Sequence, residues 1–405
     1  MARVSKRLRP RRVLASSVPE IELLRVCARN AGSLDRQHIQ KLVAQGLRWD
    51  YLLEAADRHG MVPLLYRNLA QQHRPEVVPD RCLRKLEEHF QSNLRRNLRL
   101  LHELIAILRT FRDHEIVAVP YKGPFLALIL WGNIGVRESS DLDILISRKD
   151  FPAARRLLEN MGYQPDHHLT AAEEVPYLWI YHERAFRNPE SKIRVELQWE
   201  IVPRYMSIAF GPEQLWDSLQ LTEVSAEPIP VVAPEDLLLV LSVHGWKHGW
   251  NRLIWLADIA QLLRLYPWLN WRQVFCRCRE VGAERILLLG LSLSDRLLGP
   301  VLPDEVRRRV AEDPKVGKLV QQVCAAMATG YELGYVQLHI FLLRGRERWR
   351  DKVRHLVRLA LTPGLGEWAL LQLPARLAPL YRILRVYRVF TKSARMALQI
   401  PMSGS

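Results

Sequence analysis

From Asp141 to Ser147 the chain reads Asp-Leu-Asp-Ile-Leu-Ile-Ser, an apolar run carrying two carboxylates one residue apart. Side chains alternate along a strand, so Asp141 and Asp143 share one face while Leu142, Ile144 and Ile146 alternate around them. Like charges on one face of a buried strand repel each other and resist leaving water. Such a strand is tolerable where a cation stands beside the acids, and hard oxygen ligands suit magnesium, which takes one or two carboxylates together with substrate phosphates.

The surroundings of this strand read as a compact unit. Ile116 to Tyr121, Ile-Val-Ala-Val-Pro-Tyr, is short and β-branched, and Lys122 to Trp131 follows as a helix entered through Gly123 and Pro124, proline being accepted in a first turn. A helix is expected from about Lys149 to Met161, closed by Gly162. Two further strands are expected, near Trp179–Phe186 and Ile193–Trp199, separated by the turn-forming Arg-Asn-Pro-Glu-Ser-Lys. Residues 116 to about 202 therefore read as a mixed α/β unit. Before it the pattern is helical, clearest where Leu86, Phe90, Leu94, Leu98, Leu101, Ile105 and Leu108 recur at spacings of three and four. From Pro234 onward helical periodicity returns, broken by Pro267, Pro303 and Pro363.

A chain of 405 residues with 48% hydrophobic and 25% charged residues has the composition of folded domains. Its net charge of +16 favours partners of negative sign, such as polyphosphates, nucleic acid or anionic lipid. Five cysteines, with only Cys276 and Cys278 close together, read as reduced thiols rather than a disulfide framework or a four-sulfur zinc site. The basic N-terminus lacks the apolar stretch of a signal peptide, and no apolar run reaches the roughly 20 residues that span a bilayer. A cytoplasmic protein without a transmembrane segment is expected.

Glu196, in Ile-Arg-Val-Glu-Leu-Gln-Trp, is a third acid flanked by apolar residues. If its strand lies beside that of Asp141, the three carboxylates converge, and such a set holds two metal ions roughly 3.5–4 Å apart in phosphoryl-transfer sites. Lys122 and Gly123 sit at a strand-to-helix turn, where backbone N–H groups and the helix end receive phosphate. Lys122 adds a point charge and Arg137 a bidentate fork. Each residue also has a structural reading: Asp141 as a strand-edge cap, Asp143 as an outward-facing acid, Arg137 as the partner of Glu138 or Asp141.

Lys-Gly, then an arginine, then Asp-Leu-Asp, and later a Glu on a Val-Glu-Leu-x-Trp strand resembles the uncharacterised nucleotidyltransferase family of the polymerase-β-like superfamily. His244 to Leu263 is similar to that family's downstream helix and Leu361 to Arg385 to its C-terminal tail, so the resemblance runs from about residue 50 through most of the chain. It implies an α+β fold: a small mixed-sheet nucleotidyltransferase core, 116–233, between helical regions at 20–115 and 234–405, after a basic, disordered tail at 1–19. It further implies that Asp141, Asp143 and Glu196 bind catalytic magnesium, or manganese in its place, and that Gly123 marks the turn on the triphosphate. Pro124 stands where the superfamily commonly has a small Gly or Ser, and it has no N–H to offer.

His244 and His248 lie four residues apart, a spacing that places both on one helical face and can bind zinc, although the intervening Gly-Trp-Lys lacks the glutamate of the zinc-protease motif; Trp255 and Asp258 are angularly close. They read either as a hydrogen-bonded polar cluster packed on the core or as a wall of the nucleotide pocket. Arg382, Arg385, Arg388, Lys392 and Arg395 form a basic face opposite Val386, Val389 and Phe390, either solvated or lying on an anionic membrane. The leading expectation is a magnesium-dependent nucleotidyltransferase that uses a nucleoside triphosphate and an unidentified acceptor. The alternatives are a nucleotide-binding protein of the same fold without turnover, and a basic RNA-associated protein.

Overall fold

The computed structural model describes residues 18–29, 33–72, 77–167, 169, 171–208, 210–299, 302–362 and 380–388. The expected basic tail lies outside them up to residue 17, as do Val389, Phe390, Lys392 and Arg395. The fold is α+β, a small mixed sheet embedded among helices.

Five strands form the main sheet: β1 (Ala118–Pro120), β2 (Leu142–Ile146), β3 (Gln164–Pro165), β4 (Glu183–Arg187) and β5 (Arg194–Gln198), in the order β1-β2-β5-β4-β3. Only β2 and β5 run parallel. Every residue of β2 is buried, as expected for a central strand covered on both faces. Leu142, Ile144 and Ile146 pack with Leu100, Leu104, Ile107 and Phe111 of the long helix Asp80–Asp113. A second, helical core joins the N-terminal helices to Pro234–Lys247, Leu253–Leu265 and Glu284–Leu298.

Several features depart from the sequence reading. Trp179 and Ile180 end a helix, Ala171–Ile180, and β4 begins only at Glu183. Tyr177 and Tyr181 stack at 4.3 Å, a contact that residues four apart make on a helical turn and not on a strand.

The segment from His244 to Leu263 is two helices, Pro234–Lys247 and Leu253–Leu265. Gly249 and Trp250 take left-handed φ values of 65° and 56°, and the chain folds back so that the Trp250 ring covers Gly245, where a Cβ would come within 2.2 Å of it. Gln220–Val224 and Glu227–Val231 form a hairpin, β6 and β7, absent from the sequence reading. Its turn residues, Ser225 and Ala226, both have positive φ, which the favoured two-residue hairpin turn requires, but neither is the usual Asn or Gly.

The long helix follows its leucine stripe only in part. Leu98 is 53% exposed, whereas Asn93 and Asn97 are fully buried. Asn93 Nδ2 donates to the carbonyls of Gly135 and Arg137, and Asn97 Nδ2 to those of Ile134 and Arg137. These amides fix the loop that leads into β2.

Candidate active site

Parallel pairing of β2 with β5 sets Asp143 directly opposite Glu196. Asp141 lies two residues before Asp143 at the entrance to β2. The three acids line one cavity of about 340 Å³ together with Lys122, Gly123 and Arg137, and with His244 and His248 on the facing helical region. All eight residues singled out in the sequence thus border one space.

Lys122 immediately precedes the helix Gly123–Trp131. Gly123 has φ +62°, and a Cβ there would stand 3.1 Å from the Asp141 carbonyl oxygen. Glycine is therefore required both by the turn and by its approach to the acid-bearing segment. Pro124 occupies the first turn of the helix and contributes no N–H to the cavity.

Lys122 Nζ lies 3.2 Å from Asp143 Oδ1, with both side chains buried. Burial alone would lower the lysine pKa, but the Asp143 charge and the neighbouring Tyr121 raise it, so Lys122 stays cationic. Gln198 joins the acids: its Nε2 is 2.7 Å from Asp143 Oδ1, 3.2 Å from Glu196 Oε2 and 3.3 Å from Glu183 Oε2. Tyr121 donates its hydroxyl to Gln198 Oε1, which orients the amide. Arg194 Nη1 approaches Glu196 Oε1 at 2.7 Å and Asp141 Oδ2 at 3.6 Å.

Cations and amide donors do not fully offset the crowding. Burial, then the charges of Glu183, Asp143 and Asp141, push the Glu196 pKa up to about 7. Asp141 is also raised, by burial and by Asp143. The donor set, carboxylate oxygens within one polar cavity, matches the chemistry of a hard divalent cation. Yet among the described residues no three His, Cys, Asp or Glu side chains are grouped closely enough to hold a metal ion as they stand. Lys122, Gln198 and Arg194 engage the acids instead, and a bound ion would have to displace some of these contacts.

Arg137 pairs with neither Glu138 nor Asp141. Its Nε donates to Asp258 Oδ2 at 2.9 Å, and the Trp131 indole donates to Asp258 Oδ1 at 3.0 Å. Asp258 thus clamps the loop before β2 to the helix Leu253–Leu265 and leaves the histidines. His244, His248 and Trp255 form a triangle of rings with centroids 4.9–5.3 Å apart. Burial and the nearby lysines lower both histidine pKa values, that of His248 to about 4, so the rings are neutral.

Glu183, Gln198 and Lys247 are cavity residues that the sequence reading missed. Lys247 had a signal, since it stands three residues after His244. Glu183 begins a strand beside charged neighbours, and Gln198 carries no charge; neither stood out.

The profile of a family described as uncharacterised nucleotidyltransferase matches residues 45–299. Among solved structures, an antigenic nucleotidyltransferase-like protein from Paracoccidioides brasiliensis aligns at 14% identity over 52% of this chain and 96% of its own, with a TM-score of 0.30. Comparison with curated proteins finds no match. No described helix is long and apolar enough to cross a membrane.

Proposed function

This chain belongs to the uncharacterised nucleotidyltransferase family, and on that premise we propose that it transfers a nucleoside monophosphate from a nucleoside triphosphate to an acceptor. The acceptor oxygen attacks the α-phosphorus, the bond to the β-phosphate oxygen breaks, and pyrophosphate leaves. The observation that carries this reading is the register of Asp143 against Glu196, with Asp141 and the Lys122–Gly123 turn bordering the same cavity.

Asp141, Asp143 and Glu196 would hold magnesium, or manganese in its place. Such an ion neutralises triphosphate charge and stabilises the leaving oxygen. Lys122 supplies a fixed positive charge at the mouth of the helix Gly123–Trp131, where phosphate oxygens are favourably received. The neutral rings of His244, His248 and Trp255, tilted or edge-on to one another, offer an aromatic wall for the nucleobase. Asn93, Asn97 and Asp258 act at a distance by holding the loop that carries Arg137 and leads to the acids.

A second reading, nucleotide binding without turnover, is favoured by Lys122 already neutralising Asp143 and by Pro124 in the phosphate turn. Thermal unfolding against ATP, GTP, CTP and UTP, with and without magnesium, tests both, since a ligand of the native state raises the melting temperature. One triphosphate is expected to stabilise the wild type only with magnesium, and Asp143→Asn to lose that gain. Release of pyrophosphate from the same triphosphate separates turnover from binding alone. If no triphosphate shifts the wild type, both readings fail and the acids are structural.

A further inference from the structure

Beyond the C-terminal ends of β2 and β5, where Ser147 follows one strand and Trp199-Glu200 the other, a second cavity of about 360 Å³ opens. It shares no lining residue with the acid-rich cavity. Alternation along β5 turns Trp199 away from the face bearing Glu196 and Gln198, and Ser147 lies about 13 Å along the strand from Asp143.

Four arginines, Arg148, Arg204, Arg354 and Arg358, border this cavity against two glutamates, Glu200 and Glu213. Arg148 takes Glu200 at 2.6 Å. Arg354 reaches Asp351 at 3.4 Å. Among the described residues Arg204 and Arg358 make no direct ion pair, although the Glu200 charge acts on both: Arg204 donates to the Trp179 carbonyl at 3.1 Å and Arg358 to the Arg204 carbonyl at 2.9 Å.

These backbone contacts hold the two guanidinium groups in place without neutralising them. Arg148 and Arg204 both lie over the Trp179 ring, at 5.1 and 5.4 Å from its centroid, which fixes their planes further. Arg148 Nε is buried and has no hydrogen-bond partner. Burial and repulsion from Arg204 and Arg354 lower the Arg358 pKa, and the Glu200 charge offsets this only in part.

We propose that this cavity is a second ligand site, and that it takes a phosphomonoester. The lining carries two positive charges in excess, the charge of a phosphomonoester dianion near neutral pH. Guanidinium forks match the paired oxygens of a tetrahedral phosphate, whereas a single carboxylate would engage only one fork. The volume is that of a small-molecule site. Because the two cavities share no residue, phosphate binding here does not depend on nucleotidyl transfer at the other.

Calorimetric titration of the full chain with inorganic phosphate and with glucose 6-phosphate, in magnesium-free and sulfate-free buffer, tests the assignment. Saturable binding is expected, weakened by about tenfold in Arg358→Gln and unchanged in Asp143→Asn. Tighter binding of glucose 6-phosphate than of phosphate supports the phosphomonoester, whereas equal binding overturns it in favour of the free ion. Arg354→Gln, whose side chain is half exposed, provides the same test where Arg358→Gln does not fold. Absence of saturable binding, equal affinity in both arginine variants, or loss of binding in Asp143→Asn overturns the proposal.

Discussion

Asp258 and Asp143 are both buried acids paired with a cation, Asp258 with Arg137 of the loop before β2 and Asp143 with Lys122 of the turn after β1, yet their surroundings differ. Each oxygen of Asp258 has its own donor, Arg137 on one and the Trp131 indole on the other. Asp143 receives Lys122 and Gln198 on the same oxygen, faces Glu196 in register, and has Asp141 two residues away. The first arrangement satisfies its charges and ties a loop to a helix. The second leaves several acids sharing the same few donors, so that their mutual repulsion is only partly offset.

The comparison is broken most directly at Asp258. Removing one partner of a buried pair strands the other charge, so Asp258→Ala is expected to cost about 3–5 kcal/mol in urea unfolding. A loss below about 1 kcal/mol would mean that Arg137 finds other compensation and that the clamp is not structural. Asn97→Ala sharpens the same side of the comparison. It leaves the half-buried Ile134 carbonyl without its amide donor and is expected to cost about 1–3 kcal/mol, while Asn93 retains the Arg137 contact.

On the other side, Glu196→Gln removes one of the crowded charges while keeping its shape. Here the expected change is the smallest, a gain of at most about 1 kcal/mol, because relief of repulsion from Glu183, Asp143 and Asp141 is set against loss of the Arg194 pair. A large destabilisation by Glu196→Gln would show that the acid is a structural partner of Arg194 and would erase the contrast with Asp258.

How far these regions were legible differs for a physical reason. On β2 and β5 an acid among alternating apolar residues is conspicuous, because burial excludes charge unless something compensates it. Asp141, Asp143 and Glu196 were visible in this way, and the turn at Lys122 and Gly123 by its glycine. Asn93 and Asn97 were not, because the leucines of a long helix suggest an apolar stripe that the chain uses only in part. Gln198, which touches three of the acids, has no charge to attract notice. Asp258 falls near His244 and His248 at helical spacing, but Gly249 and Trp250 reverse the chain and carry it to Arg137 and Trp131 instead.

What the amino-acid sequence determined by itself is local: the strand-turn-helix at Ile116–Trp131, the acid pair entering β2, the acid on β5, and the helical character of the flanks. These depend on alternation, turn chemistry and periodicity within a few residues. Tertiary structure decided the rest: the register that sets Asp143 against Glu196, the division of the acids between Lys122, Arg194 and Arg137, and the meeting of Arg148 and Arg204 with Arg358, more than 150 positions later in the chain for Arg204. Such pairings bring together side chains far apart in sequence, and which acid meets which cation is settled only when the sheet and the helices pack and water leaves between them.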